Sequence, residues 1–316
     1  MAVEVYRLYV LLFIRRSAGQ DPLFIQDNAE DLALASQLGR QNVLESVSFL
    51  ELLVQQSTAP ASITQLSTVI AICGALLADQ CEGEIDTIPA EFLDQIESAG
   101  AGLRLLQVTL NLIGKLESSS PINQSILQLY YASLWFLDRI CPVYLFSEPP
   151  YEHSKRKNSS VFDDLRGPTA SVILDMALNT ALRVMELPHL PETHLSKEVA
   201  ARLLERLSSV RAIRGVATRS PVISKLHFLF QRIINNLKDL RSLSLPTVEL
   251  FSRALFCLVS EDIAMELLQH IQVRSNPIQS IFLKQRNLLS RNRPVLWHSW
   301  PIAPATTNPI YYLMFM

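Results

Sequence analysis

The residues best placed to do chemistry are four carboxylates within eight positions, Asp79, Glu82, Glu84 and Asp86. Gly83 lies among them and breaks any helix there, so the stretch reads as a short loop of concentrated negative charge. A loop of that kind suits electrostatic contact with a basic partner surface; the competing reading is a solvated connector. These four acids are the candidate partner-binding residues.

Other chemistry has weaker support. Gly100-Ala101-Gly102 is part of a dinucleotide-binding signature, but no strand precedes it and the third glycine is missing. His153, His189, His194, His227, His270 and His298 form no H-E-x-x-H and no cysteine pairing at metal spacing. No nucleophile elbow singles out a serine. Asp163-Asp164 and Glu261-Asp262 fall at helix starts or in a loop, where charge complements a helix dipole. No catalytic, cofactor-binding or metal-binding residue is assigned, and the chain is expected to act by binding. His153-Ser154-Lys155-Arg156-Lys157 reads as a solvated loop or a weak localisation signal. Tyr130, Tyr131, Trp135 and Phe136 crowd one helix and read as core or as a partner contact.

The acidic loop needs elements to position it, and nearly every stretch has the helical period. The loop follows a helix from Ile63 to about Ala78, with Thr64 as cap and Leu66, Ile70, Cys73, Leu76 and Leu77 on a wide apolar face. Ile88 and Pro89 pin its far end. Before it come helices over Val5–Arg16, from a cap at Asp27 to Leu38, and over Asn42–Gln56, with Gly39 as an interruption and 57–62 as a loop. After it come Leu103–Leu116 and Ile122–Cys141, the latter opened by Ser120-Pro121 and ended or kinked by Pro142. Residues 147–167 read as irregular. Pro168 opens a helix to about Leu187, and Ser196 caps Lys197–Leu207. Further helices are expected over Pro221–Leu240, Pro246–Val259, Glu261–Val273 and Pro277–Leu289.

The start signals at Pro121, Pro168 and Pro221 are 47 and 53 residues apart. That spacing suits HEAT-type helical hairpins, whose repeat is about 40–47 residues. The expectation is an all-α, HEAT-like helical-hairpin solenoid over 1–291, with an irregular single helical domain as the competitor. Residues 292–316, with four prolines after Arg293, read as an irregular, disordered tail. Met1 lies close to an apolar helix, which suggests that both ends are cut.

Of 316 residues, 49% are hydrophobic and only 9 are glycine, enough apolar surface for a core and a bias to helix. Residues 1–100 hold 14 acidic and 4 basic residues, so the net charge of −2 hides an acidic first third. Nothing marks a nucleic-acid binder. Cys73, Cys81, Cys141 and Cys257 form no C-x-x-C pair and read as reduced thiols of an intracellular protein. The apolar run Leu8–Ile14 is seven residues, short for a signal peptide and far too short to span a bilayer, so neither membrane nor direct nucleic-acid contact is expected.

Five stretches in order resemble an exportin of the importin-β (karyopherin) superfamily, over its central portion. They are LGRQNVLESVSFLELLVQQ (38–56), IAICGALLADQCEGEIDTIPAEF (70–92), GLRLLQVTLNLIGKLES (102–118), LWFLDRICPVYLFSEPPYE (134–152) and SPVISKLHFLFQRII (220–234). The resemblance implies a superhelical HEAT solenoid that binds folded protein cargo and Ran-GTP and contacts Phe-Gly nucleoporins. It implies shuttling between nucleus and cytoplasm. The N-terminal arch that makes such receptors' main Ran contact has no counterpart here. The alternative is a helical-repeat scaffold for protein–protein interaction without transport activity.

Overall fold

The computed structural model describes residues 2–17, 25, 27–56, 63–79, 87–117, 124–145, 158–166, 168–187 and 191–208. They form nine α-helices, and no strand occurs among the described residues. In chain order these are α1 (Ala2–Ser17), α2 (Ala29–Arg40), α3 (Val43–Gln56), α4 (Ile63–Leu77), α5 (Ala90–Leu93), α6 (Ile96–Glu117), α7 (Gln124–Ile140), α8 (Pro168–Met185) and α9 (Pro191–Ser208). A π turn, Cys141–Leu145, continues α7, and a 3-10 turn, Ser159–Arg166, precedes α8. All of these residues belong to one compact unit.

The longer helices stack in two rows. α2, α4, α7 and α9 follow one another in the first, and α3 packs on α6 in the second. α8 continues the second row, with the 3-10 turn packed against both α6 and α8. Consecutive long helices therefore alternate between rows, the arrangement of an α-helical solenoid, in which each unit buries its apolar stripe on its neighbours. α1 packs on α2, α3 and α4.

α4 is the spine. Every residue from Leu66 to Ala78 is buried, because α2 and α7 cover opposite flanks and α3 and α6 approach from the other row. The apolar face read from Leu66, Ile70, Cys73, Leu76 and Leu77 thus extends around the whole helix. Each such Leu or Ile contributes about 1.5–3 kcal/mol by leaving water.

Several expected boundaries move. α2 starts at Ala29, and the residue before it, Asn28, makes no side-chain cap bond, so Asp27 does not cap it. The helix runs through Gly39, where a Cβ would stand 2.8 Å from the Tyr6 ring and 2.9 Å from Leu76 Cδ1. That glycine serves close packing and does not interrupt the helix. α6 begins at Ile96, seven residues before the expected Leu103. Its first turns contain Gly100 and Gly102, whose low helix propensity hides the start. Gly102 is required because a Cβ there would lie 2.6 Å from Phe92 Cδ1.

α9 begins at Pro191, where the missing N–H costs nothing, and the expected cap Ser196 lies inside it, buried. Within the stretch read as irregular, 159–166 is a 3-10 turn that buries Phe162 and Leu165, with Phe162 edge-on to Tyr144 at 5.1 Å. Asn158 adopts a left-handed φ of 69° and donates its side-chain amide to the Leu93 carbonyl. Tyr130, Tyr131, Trp135 and Phe136 are all buried, in agreement with their reading as core and not with the alternative of a partner contact. The expected helices after residue 208, the tail 292–316, the basic cluster 153–157, Cys81, Cys257, and every histidine except the exposed His194 lie outside the described residues.

Candidate functional site

The end of α4 is where the acidic stretch begins, at Asp79. A helix C-terminus leaves its last carbonyls without intrahelical N–H partners. Here they are bonded by side chains from both neighbours in the row. Arg40, at the end of α2, donates Nη2 to the Ala75 carbonyl at 2.7 Å and Nε to Leu76 at 2.9 Å. Tyr144, in the π turn after α7, donates its hydroxyl to Leu77 at 2.7 Å. Arg139, near the end of α7, donates Nη2 to Ala78 at 3.0 Å, with its guanidinium 4.6 Å over the Trp135 ring. Two cations at the negative end of α4 also complement its dipole. Burial pushes the Tyr144 phenol far above its ordinary range, so it stays a hydrogen-bond donor.

The chain then turns. The N–H and C=O of Asp79 exchange hydrogen bonds with those of Thr87 at 3.2 and 3.3 Å, an isolated antiparallel bridge that pins both ends of the loop. Ile88 is buried and Pro89 precedes α5, as expected of residues anchoring the far end. Of the four candidate acids, Asp79 is described. Its carboxylate is 43% exposed and accepts Nη1 of Arg40, whose side chain is 4% exposed. Asp79 is thus engaged within the fold, and part of its charge is offset. Glu82, Glu84 and Asp86 lie outside the described residues.

A second charged cluster closes the end of α7. Asp138 is buried, its Oδ2 accepts Nε of Arg202 at 2.8 Å, and its Oδ1 lies 3.2 Å from Nε of Arg206 without hydrogen-bond alignment. Pro142 has no N–H to offer the Asp138 carbonyl, and Arg206 Nη1 bonds that oxygen instead at 3.1 Å. Arginines near the ends of α2, α7 and α9 therefore each hold the end of a neighbouring helix. Lys197 does the same for α8, donating Nζ to the Leu187 carbonyl at 2.6 Å; burial lowers its pKa to about 8.

Cys73 and Cys141 are free, buried thiols. Burial raises the first to about 12 and the second further, which makes them poor nucleophiles. No group of three or more His, Cys, Asp or Glu that could hold a metal ion occurs among the described residues. No described helix is long and apolar enough to cross a membrane.

Sequence reasoning missed Arg40, Asp138, Arg139 and Tyr144. The signal was present as charges embedded in apolar context at helix ends, in LGRQ (38–41) and LDRICPVY (137–144). No family model, curated protein or solved structure matches this chain.

Proposed function

We propose that the chain is a segment of an exportin-like nuclear transport receptor, a HEAT-type solenoid that binds folded protein cargo and Ran-GTP and acts by binding. The observation that supports this most is the pinned loop. Side chains from two neighbouring helices and the Asp79–Thr87 bridge fix the place where the acidic segment leaves the stack. A negatively charged segment with fixed ends loses less freedom on binding a basic surface than a free one would. The alternating rows suit the same reading, since stacked helix pairs present extended surfaces to folded partners. So does the ordered set of exportin-like stretches, which includes the three side chains that hold the loop base, Arg40, Arg139 and Tyr144.

The test is a titration of the chain against Ran-GTP, with Ran-GDP as control, alongside a variant carrying Asn or Gln at Asp79, Glu82, Glu84 and Asp86. Nucleotide-selective binding that weakens in the variant supports both the receptor and the loop. Selective binding unchanged in the variant sinks the loop as the contact. Binding neither Ran form nor Phe-Gly repeats sinks the transport reading in favour of a helical-repeat scaffold for protein–protein interaction, to which the same stacked rows belong.

A further inference from the structure

The carbonyl that closes α5 needs an outside donor, as those at the end of α4 do, and a residue far along the chain supplies it. Asn158 donates Nδ2 to the Leu93 carbonyl at 3.0 Å. Leu93 is the last residue of the four-residue helix that follows Ile88 and Pro89, and Phe92 beside it is buried. Asn158 therefore holds the far side of the acidic stretch, while Tyr144 holds the near side through the Leu77 carbonyl. A helix of one turn has no stability of its own, so contacts from outside decide whether it stays formed.

The two holding residues are joined by one segment. Asn158 leads into the 3-10 turn, and its carbonyl accepts the Val161 N–H at 3.2 Å. Four residues on, Phe162 is fully buried and sets its ring edge-on to Tyr144, with centroids 5.1 Å apart. Leu165 is buried as well, and the turn packs on α6, α8 and the π turn. Leu77, Tyr144, Phe162, Asn158 and Leu93 thus form a path from one end of the acidic stretch to the other that does not run through the acids.

The backbone at Asn158 fits this task. Its φ of 69° is the one left-handed value at a non-glycine position among the described residues. Asparagine tolerates that region better than most side chains, and a left-handed residue bends the chain between the Leu93 contact and the Phe162 contact. A conformation of that kind persists only where surrounding contacts hold it.

We infer that residues 158–166 are a clasp that makes the two ends of the acidic stretch open and close as one unit, with Asn158 and Phe162 as its positioning residues. The Asp79–Thr87 bridge ties only those two residues, whereas the clasp ties the end of α4 to α5. With the four acids as the partner contact proposed above, the clasp lowers the freedom that they lose on binding. The clasp itself does not depend on that reading and its test uses no partner, so the two fail separately.

Native-state hydrogen exchange on the full chain, read at single amides, tests it. The Ala78 amide reports the near end and the Phe92 amide the far end, because their bonds to the Gly74 and Pro89 carbonyls break when those ends open. Asn158→Gly keeps the left-handed backbone and removes the amide donor, and Tyr144→Phe keeps the ring and removes the hydroxyl. Each variant loses one bond at one end, yet each should speed exchange at both reporter amides by the same factor, about three- to tenfold. The Val47 and Leu50 amides in α3 should not change. Phe162→Leu keeps the site apolar and removes the ring that joins the two ends. In that background each of the other variants should act at its own end alone. An effect of Asn158→Gly confined to Phe92, with that of Tyr144→Phe confined to Ala78, overturns the inference. So does equal acceleration at Val47 and Leu50, where the opening unit is the whole stack. Coupling that persists in the Phe162→Leu background also overturns it, by assigning the link to the Asp79–Thr87 bridge.

Discussion

Replacing Arg40 with Ala is the sharpest probe of how α4 ends. Arg40 Nε and Nη2 bond the Leu76 and Ala75 carbonyls, and all three residues are buried. A buried carbonyl left unsatisfied costs about 1–3 kcal/mol, so the two together cost about 2–6 kcal/mol. The pair with Asp79 adds at most about 1 kcal/mol, because that carboxylate is 43% exposed and screened by water. Water entering the vacated space can reach one of the two carbonyls, which leaves about 1–3 kcal/mol for the other and puts the expected loss at about 2–3 kcal/mol with the ion pair included. Asp79→Asn removes only the exposed partner and should cost below about 1 kcal/mol. Urea unfolding followed by circular dichroism measures both, with an unchanged m value showing that the transition is the same one. The Asp79 and Thr87 amides should also exchange with solvent faster in Arg40→Ala, because the bridge loses its anchor. An Arg40→Ala loss under about 1 kcal/mol, or an Asp79→Asn loss equal to it, refutes the view that carbonyl capping holds this site.

Three other outcomes follow from the same structure. Gly102→Ala forces a Cβ to 2.6 Å from the buried Phe92 ring and should destabilise by about 1–3 kcal/mol, whereas Gly100→Ala, with nothing within 4 Å, should stabilise by about 0.5–1 kcal/mol; urea midpoints of the two variants decide it. Asp138→Ala strands Arg202 and Arg206 beside a buried site and should cost about 3 kcal/mol, with a double-mutant cycle against Arg202→Ala showing strong coupling. Burial holds Tyr6, Cys73, Tyr131, Cys141 and Tyr144 protonated in the native state while the unfolded chain releases protons from about pH 9 (thiols) and pH 10 (phenols), so the native state binds more protons and stability falls as pH rises above about 9. Lys197 opposes this between about pH 8 and 10.5, where the unfolded chain keeps the proton, so Lys197→Met should steepen the fall; a flat urea midpoint from pH 9 to 11 would contradict the burial of these groups.

The sequence by itself determined the helices and where most of them lie. Scarce glycine, abundant leucine and three- and four-residue apolar steps leave the backbone few other ways to bury that surface. It also placed the end of α4 near Ala78, where the apolar period stops and the acids begin. Tertiary structure decided the rest. Gly39 reads as a break and the helix after the acidic stretch is expected only from Leu103, past Gly100 and Gly102, yet all three glycines sit inside helices, and at Gly39 and Gly102 a neighbouring side chain occupies the space where a Cβ would be. Ser196 reads as a cap, but Pro191 had already begun the helix and the serine was carried into the interior. The pairing of Arg40 with carbonyls thirty-five and thirty-six residues away, and of Asp138 with Arg202 sixty-four residues on, depends on which helix ends meet across the row. Periodicity tells each helix which face to bury but not against which neighbour. Only the stacked rows decide that Asp79 faces an arginine.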